Sequence, residues 1–310
     1  MIAAGVVGGT GAAGSHLIGL LLGHPEMDIR IVTSRSEAGT WIGKIHPGLA
    51  SKAPKDLEFS DPDFEALNKL DVVFLAVPHG TAKDIAAKLT CKVIDIADDH
   101  RLDEVYGLPE LSKEKIAEAK LVANPGCYAT ACILAALPLK DRIQDVVFNC
   151  ISGYSGGGKN PPYDYKDNII AYKLADHRHR NEMTRVLGVP FSFIPHVTDV
   201  HRGLMCTAVI TLKEGETIDI EAIKKLYTKT YAGTFTKVVD EIPTTKDVVG
   251  TPYCKIGGFV EDGRKLIIIS VIDNLLKGAA SQAIENANIM FNLPRDSGLN
   301  TMKNDNTGGN

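Results

Sequence analysis

A cysteine stands where a short apolar strand, Leu121 to Ala123, gives way to a helical segment predicted from Tyr128 to Ala136. The junction reads NPGCYAT, with Cys127 at the predicted start of the helix. A helix N-terminus lowers the pKa of a thiol and favours the nucleophilic thiolate, so Cys127 is a candidate nucleophile. The alternative is a packed thiol. The remaining cysteines lie in or beside apolar segments and are predicted to be core residues: Cys91, Cys132, Cys150, Cys206 and Cys254.

Two histidines alternate with two arginines in the segment AYKLADHRHRNEM, which contains His177, Arg178, His179 and Arg180. A His-x-His pair on a strand could bind zinc, but the arginines oppose a cation. No two cysteines form a Cys-x-x-Cys pair, and we predict no metal site. The composition of the segment favours a phosphate or carboxylate site with a histidine base. An exposed basic turn is the alternative.

A glycine-rich loop, SGYSGGGK, follows a predicted strand and runs from Ser152 to Lys159. Its many backbone N–H groups and single cation are typical of an anion-binding nest. The alternative is a flexible loop without a ligand.

The first predicted strand, Ile2 to Val7, ends in another glycine loop, GGTGAAG, before an apolar helical run. Gly8 would start the turn, Gly11 would let the backbone approach a pyrophosphate, and Gly14 would let the helix pack on the strand. The helix N-terminus would then face the phosphates, which predicts a dinucleotide site. A plain glycine turn is the alternative.

The second predicted strand ends in Thr33, Ser34 and Arg35, where enzymes that use NAD usually place a carboxylate for the ribose 2′-OH. A guanidinium at this place could pair with a 2′-phosphate. We therefore predict NADP(H) as the cofactor, with a solvated surface arginine as the alternative.

A further candidate segment, DNLLKGAA, joins a strand to the last helix, which is predicted from Asn274 to Phe291. Asn274 could donate or accept hydrogen bonds near the helix start, and Gly278 would allow a close approach. The alternative is an ordinary helix cap.

The strands before Cys127 are short apolar runs without alternation and are interleaved with helical segments, which predicts a parallel sheet covered on both faces. After Cys127 the predicted strands become mixed, with a hairpin around Glu261-Asp262-Gly263. The expected fold class is α/β, with a Rossmann-type parallel sheet domain and a second α+β domain. The polar stretch from Arg295 to Asn310 is predicted to be a disordered tail.

The 310 residues suggest about two domains. The formal net charge of −4 argues against partners such as nucleic acid or anionic lipid. No apolar run approaches the ~20 residues of a membrane span, and the first residues lack the pattern of a signal peptide. We therefore predict a cytoplasmic protein with reduced thiols.

Taken together, these segments resemble the aspartate-semialdehyde-dehydrogenase-like family, and within it the branch that serves arginine biosynthesis. The resemblance covers nearly the whole chain, in the order GVVGGTGAAGSHL, TSR, FLAVPHG, YGLPEL, NPGCYAT, SGYSGGGK, HRH, RGLMCT and DNLLKGAA. It implies an NADP-dependent enzyme that reduces a small acyl phosphate to an aldehyde and assembles as a homodimer or homotetramer. It also implies domains over 1–126 with 275–294, where the last helix returns, and over 127–274 for catalysis and dimerisation.

The resemblance implies roles for individual residues. Cys127 corresponds to the nucleophile and His177 to its acid–base partner. The residues implied in cofactor binding are Gly8, Thr10, Gly11, Ala12, Ala13, Gly14, Ser34, Arg35 and Pro78, with Ser155, Gly156 and Asn274 beside the nicotinamide. Those implied in substrate binding are Asn124, Ser152, Lys159, Arg178 and His179.

The chain departs from the family pattern in regions on the substrate side. The family usually shows ADFRL, whereas this chain has ADDHRL from Ala97 to Leu102, and the segment before YGLPEL is short. A carrier-protein-linked acyl phosphate is therefore an alternative substrate, and aspartate-semialdehyde dehydrogenase activity is another alternative. A non-catalytic NADP sensor is the alternative from a different class.

Overall fold

In the computed structural model, residues 1–157 and 163–300 are described. The chain forms two compact units. The first contains Met1–Pro125 and the chain from Ala279 onward, and the second is Gly126–Gly278. We predicted the boundaries at residues 126/127 and 274/275, so the second unit also takes in Gly126 and residues 275–278. No helix of the described part of the chain has the length and apolar character that a membrane crossing requires.

The first unit contains a seven-stranded sheet in which every strand pair is parallel. Its strands are β1 Ile2–Val7, β2 Met27–Thr33, β3 Phe59–Ser60, β4 Val72–Leu75, β5 Lys92–Asp95, β6 Val105–Tyr106 and β7 Leu121–Ala123. They are ordered β3-β2-β1-β4-β5-β7-β6. The order reverses direction beside β1, and ligands of such sheets bind at that switch point, beyond the carboxyl ends of the strands.

Short helices connect these strands: α1 Ala12–Leu22, α2 Ile42–Ile45, α3 Phe64–Leu67, α4 Ala82–Ala86 and α5 Pro109–Glu118. All four residues of β4, VVFL, are buried, as expected for a parallel strand that helices cover on both faces.

The α-helices in the described residues of the second unit are α6 Cys127–Ala136, α7 His179–Leu187 and α8 Ile220–Thr230. Its seven strands are β8 Ile143–Gly153, β9 Ile169–Ala171, β10 Phe191–Thr198, β11 Leu204–Leu212, β12 Thr236–Val238, β13 Cys254–Asp262 and β14 Lys265–Ile272. The sheet order is β12-β13-β14-β11-β8-β10-β9. The sheet is mixed, because β10 with β8 and β12 with β13 are parallel while the other pairs are antiparallel. The predicted fold class, Rossmann-type α/β plus a second α+β domain, is confirmed.

Helix α6 is the centre of the second unit, because every residue from Tyr128 to Ala136 is buried. Helix α8 is fixed to it by two tyrosines: Tyr227 donates a hydrogen bond to the carbonyl of Ala135 (2.6 Å) and Tyr231 to that of Leu134 (2.5 Å). A helix that is buried all round has little freedom to shift, so its first residue is held firmly.

The chain returns to the first unit as α9, Ala280–Met290, all eleven residues of which are buried. We predicted that this helix begins at Asn274, but the helix starts six residues later. The cause is Asp273, whose carboxylate accepts the N–H groups of Leu275 and Leu276, while its carbonyl accepts the N–H of Gly278. These bonds hold residues 274–279 in turns and compete with a helix.

The predicted disorder is wrong for residues 295–300. Arg295 forms an ion pair with Glu285 of α9, and Leu299 is 1% exposed, so this stretch packs onto the first unit. The polar composition of this stretch could not reveal that Arg295 has a buried carboxylate partner in Glu285. The remainder of the predicted tail, residues 301–310, lies outside the described residues.

Candidate active site

The glycine loop of the first unit joins β1 to α1 with the geometry that a dinucleotide site needs. Gly8 has a positive φ of 85°, and a Cβ on Gly14 would lie 2.8 Å from the backbone of Gly9. A Cβ built on Gly11 meets nothing within 4 Å, so the backbone there is open to a ligand. Gly11 is also the N-cap of α1 and leaves the helix N-terminus available to a phosphate.

The end of β2 lies directly beside this loop, since the N–H groups of Gly8 and Gly9 both donate to the carbonyl of Thr33 (3.1 and 3.3 Å). Ser34 is buried, with its hydroxyl 3.3 Å from that of Ser36, whereas the side chain of Arg35 is exposed. The loop and its neighbours therefore fit a dinucleotide, and the exposed Arg35 follows β2 at the place predicted for a contact with a 2′-phosphate. The other predicted cofactor residues, Thr10, Ala12, Ala13 and Pro78, lie in this loop, in the first turn of α1 and just after β4.

Cys127 is the first residue of α6 and is half-buried. Gly126 caps the helix with extended backbone angles, and its carbonyl accepts the N–H and the hydroxyl of Thr130 (2.8 and 3.1 Å). The partial positive charge of the helix N-terminus therefore acts on the Cys127 sulfur and favours its thiolate.

His177 and His179 lie against α6 and are buried. The alternative that their segment forms an exposed basic turn is therefore wrong. The rings of His177 and His179 lie 4.7 Å apart, and both pack on Tyr128, the residue after Cys127, at 5.4 and 5.9 Å. A Cβ built on Gly126 would lie 2.3 Å from Nε2 of His179. The ring of His179 therefore packs directly over Gly126, the residue before Cys127. Between the two histidines, Arg178 remains exposed.

A chain of hydrogen bonds runs from His177 through two tyrosines. The backbone N–H of His179 donates to Nδ1 of His177 (3.2 Å), which leaves the ring proton on Nε2 in the neutral ring. Nε2 lies 3.3 Å from the hydroxyl of Tyr172. The Tyr172 hydroxyl donates to the hydroxyl of Tyr128 (3.4 Å), and the Tyr128 hydroxyl donates to the carbonyl of His196 (2.7 Å). Each hydroxyl therefore has both a donor and an acceptor.

Both tyrosines remain protonated in this setting. Burial is the main cause that raises the pKa of Tyr172 to about 12, and the nearby Cys127 sulfur adds to it. Burial also raises the pKa of Tyr128 far above its ordinary range. Neutral hydroxyls next to Cys127 do not repel its thiolate, and they can donate hydrogen bonds to an oxyanion formed there.

A buried carboxylate fixes the loop before the cysteine. Glu182, which is 1% exposed and lies in the first turn of α7, accepts the N–H of Gly126 (3.1 Å). Sequence reasoning missed this residue, although its spacing of three from His179 places both on one side of a helix. Tyr172 was also missed, because nothing in the sequence marks it as a partner of His177.

We expect Glu182→Ala to destabilise the protein by about 1–3 kcal/mol, because the buried N–H of Gly126 loses its acceptor. Glu182→Gln keeps an acceptor oxygen and should retain most of the stability. Urea unfolding of both variants measures the effect, with Glu221→Ala on the exposed face of α8 as a control. Equal loss in the Ala and Gln variants would contradict this role.

The turn after β14 gathers three residues that were predicted to lie by the nicotinamide. Asn274 accepts the N–H of Gly203 (2.7 Å) and donates to the hydroxyl of Ser155 (3.0 Å), and its amide nitrogen lies 3.6 Å from a Cβ position on Gly156. Gly278 provides the predicted close approach, because a Cβ there would lie 2.6 Å from the Cβ of Cys127.

The residues predicted to bind substrate do not form one group. Asn124 is fully buried within the first unit, where its amide donates to the carbonyl of Ala279 and accepts from Asn286, so this geometry does not support contact with substrate. Ser152 is 4% exposed and donates to the carbonyl of the next residue. Lys159 lies outside the described residues.

The departing segment ADDHRL anchors loops of the first unit. The carboxylate of Asp99 accepts the N–H groups of Gly80 and Ala82 (2.8 and 2.7 Å), and His100 lies 2.7 Å from the buried carboxylate of Asp95. Arg101 donates to the carbonyl of Asn124 (2.9 Å). The segment therefore holds the loop after Pro78 and the end of β7, which explains its polar residues without a substrate.

Two family models match the chain. Residues 3–119 match the NAD binding domain of semialdehyde dehydrogenase, and residues 127–274 match its dimerisation domain. The chain therefore belongs to the semialdehyde dehydrogenase family.

Among its relatives are proteins named N-acetyl-gamma-glutamyl-phosphate reductase. That of Acinetobacter baylyi is 38% identical over 96% of this chain and 98% of the relative, and that of Methanocaldococcus jannaschii is 37% identical over 95% and 96%. The solved structure of aspartate semialdehyde dehydrogenase with NADP from Candida albicans matches with a TM-score of 0.78 at 19% identity, covering 96% of this chain and 99% of that one. This last likeness concerns the fold.

Proposed function

We propose that this chain catalyses the NADPH-dependent reduction of N-acetyl-gamma-glutamyl phosphate to N-acetylglutamate semialdehyde and phosphate, in arginine biosynthesis. The observation that carries the proposal is Cys127 at the start of a fully buried helix, with His177 and His179 buried beside it. The relatives that match over nearly the whole chain carry the name of this reaction. The predicted cytoplasmic location remains part of the proposal.

The thiolate of Cys127 attacks the acyl carbon, the new C–S bond forms, and the bond from that carbon to the phosphate oxygen breaks. A thioester accepts hydride more readily than an oxygen ester, which is why a sulfur nucleophile suits the second half of the reaction. When bound, NADPH would supply the hydride. When the C–S bond breaks, His177 provides the proton that neutralises the leaving thiolate.

The tyrosines support this proton transfer. Tyr172 holds Nε2 of His177 in place, and its neutral hydroxyl offers a hydrogen bond to charge that develops near Cys127. His179, whose ring covers Gly126, is the competing candidate for the acid–base role. Arg178 is exposed and offers a cation to the phosphate or carboxylate of the substrate.

The experiment that tests the proposal is the reverse reaction of the purified protein. We expect NADPH to form from NADP only when N-acetylglutamate semialdehyde and phosphate are both present. The shortened segment before YGLPEL favours the carrier-linked acyl phosphate as a second candidate substrate. Turnover of the carrier-linked semialdehyde, without turnover of the free one, would move the assignment to it. NADPH binding without either reaction would support the sensor instead.

The cofactor preference rests on Arg35. We expect Arg35→Ala to raise KM for NADP about 10- to 100-fold and to leave KM for NAD unchanged, because a charge-assisted hydrogen bond is worth about 1.5–3 kcal/mol. Arg30→Ala is the matched control, since Arg30 is exposed on β2, the strand that precedes Arg35, and pairs with Asp28. An equal loss with both cofactors would contradict a contact with the 2′-phosphate.

We also propose that the sheet of the second unit forms a homodimer interface, whether the final assembly is a dimer or a tetramer. Strand β11 alternates between buried and half-buried residues, so one face packs on α6 and the other does not. On that second face Ile151 of β8 lies opposite Met205 of β11, and Ile151 is 37% exposed. An apolar patch on a sheet face is typical of an interface, and the matching family model is a dimerisation domain.

We expect Ile151→Glu to convert the oligomer to monomers, because the charge would be buried at the centre of the interface. Light scattering coupled to gel filtration measures the mass. Ile242→Glu is the control, since Ile242 is 66% exposed and lies outside the strands. An unchanged mass for Ile151→Glu would place the interface elsewhere.

A further inference from the structure

Three cysteines that the proposed reaction does not use meet in the core of the second unit. The sulfur of Cys132 lies 3.4 Å from that of Cys150 and 3.6 Å from that of Cys206, and all three lie within 4.8 Å of one another. Each of the three is fully buried. Because Cys150 and Cys206 come 18 and 74 positions after Cys132, no spacing motif in the sequence marks the group.

The three sulfurs are held by rigid elements. Cys150 of β8 and Cys206 of β11 are directly opposite each other in an antiparallel pair, and Cys132 comes down onto them from the buried helix α6. Within the described residues, no histidine, carboxylate or further cysteine joins the group. The site therefore offers three soft ligands and suits a three-coordinate ion, whereas structural zinc takes four ligands.

The two distances from Cys132 favour a pyramidal centre. With bonds of about 2.3 Å to sulfur, a centre whose bond angles lie between a right angle and the tetrahedral value holds its sulfurs roughly 3.3–3.8 Å apart. The two distances from Cys132 fall in this range. A planar three-coordinate centre would need roughly 4.0 Å between sulfurs with the same bond length.

Charge restricts the occupant further. All three side chains are fully buried, so their sulfurs are out of contact with water. A net charge in such a place is costly, so the occupant must balance the thiolates that bind it. Three thiolates are balanced by a trivalent ion.

We propose that Cys132, Cys150 and Cys206 form a binding site for a soft trivalent ion in pyramidal three-fold coordination, the chemistry of trivalent arsenic. Arsenite, As(OH)₃, reacts with three thiols to form As(SR)₃ and three molecules of water. Each S–H proton leaves with a hydroxide of arsenite, so three As–O bonds are exchanged for three As–S bonds. The arsenic remains trivalent, no oxidant is needed, and the product is neutral, as an apolar core requires.

The test uses the Cys127→Ser protein, which lacks the half-buried thiol proposed as the nucleophile. The protein is reduced with a phosphine and incubated with arsenite, or refolded from urea with arsenite so that burial does not block entry. Free arsenite is then removed by gel filtration. We expect one arsenic atom per chain by elemental analysis, and a native mass that increases by one arsenic less three hydrogens.

Further substitutions in the same background assign the arsenic to the three cysteines. Cys206→Ser and Cys132→Ala should each lower the retained arsenic at least about tenfold, and two variants keep the test valid if one fails to fold. Cys254→Ala is the matched control, because Cys254 is also fully buried, with its sulfur 3.4 Å from the hydroxyl of Ser270. Absence of arsenic from the refolded Cys127→Ser protein would overturn the proposal, and so would undiminished retention by both cysteine variants. Because arsenic content is measured without turnover, the result is independent of the proposed reaction.

Discussion

Cys127→Ser should lower turnover by roughly 10³-fold or more, because a hydroxyl at the helix start does not ionise at neutral pH and its ester is a poorer hydride acceptor. The binding of NADPH should be unchanged, because the glycine loop belongs to the first unit and Cys127 to the second. The reverse assay measures the turnover, and quenching or enhancement of NADPH fluorescence measures the binding.

Cys91→Ser is the control for this substitution, because Cys91 is the other half-buried cysteine and lies in the first unit. It should retain full turnover. If Cys127→Ser keeps more than a tenth of the native rate, the thioester route is wrong. A protein that binds NADPH and is unaffected in every property by the substitution would instead fit a sensor.

His177→Asn should lower kcat by about 10²–10⁴-fold, the usual contribution of a general acid–base group. Asparagine preserves much of the shape of the imidazole and an amide that can reach Tyr172, but it cannot transfer a proton at neutral pH. The burst of phosphate released when the thioester forms should persist, since the thiolate of Cys127 still attacks. Rapid-quench measurement of phosphate from the acyl phosphate separates the two steps.

The matched variant is His179→Asn, which alters the neighbouring ring in the same way. We expect a smaller loss of kcat, because the ring of His179 packs over Gly126 while His177 holds the hydrogen-bonded chain to Tyr172 and Tyr128. If His179→Asn is the more damaging of the two and also abolishes the second step, the acid–base role belongs to His179.

Much of the fold can be predicted from the sequence, because the strands and helices of both units follow the local hydrophobic patterns. The unalternating apolar runs at Ile2–Val7 and Leu121–Ala123 are strands with those same limits in the structure. The start of the last helix could not be predicted, because Leu275 and Leu276 continue the helical periodicity. The decisive bonds come from the carboxylate of Asp273, which is itself fully buried.

The candidate site likewise contains residues that the sequence predicts and residues that it does not. Cys127 is marked by its strand–turn–helix context, and the two histidines by their alternation with arginines, so residue type and position suffice. Glu182 and Tyr172 are recognised only through the atoms they touch, and Asn124 is buried by contacts with Ala279 and Asn286 that are distant in sequence. Long-range pairings of this kind have no local signature.

The position of α9 has a consequence for how the protein is made. The first unit contains residues 1–125 but is completed only by α9, which packs against α1 and α5 and is buried along its whole length. The second unit is one uninterrupted stretch, from Gly126 to Gly278. During synthesis on the ribosome, the second unit therefore emerges in full while the core of the first still lacks a helix. The part of the chain that is translated first is the last to be finished, and until then the surfaces of α1 and α5 that α9 covers stay open to solvent.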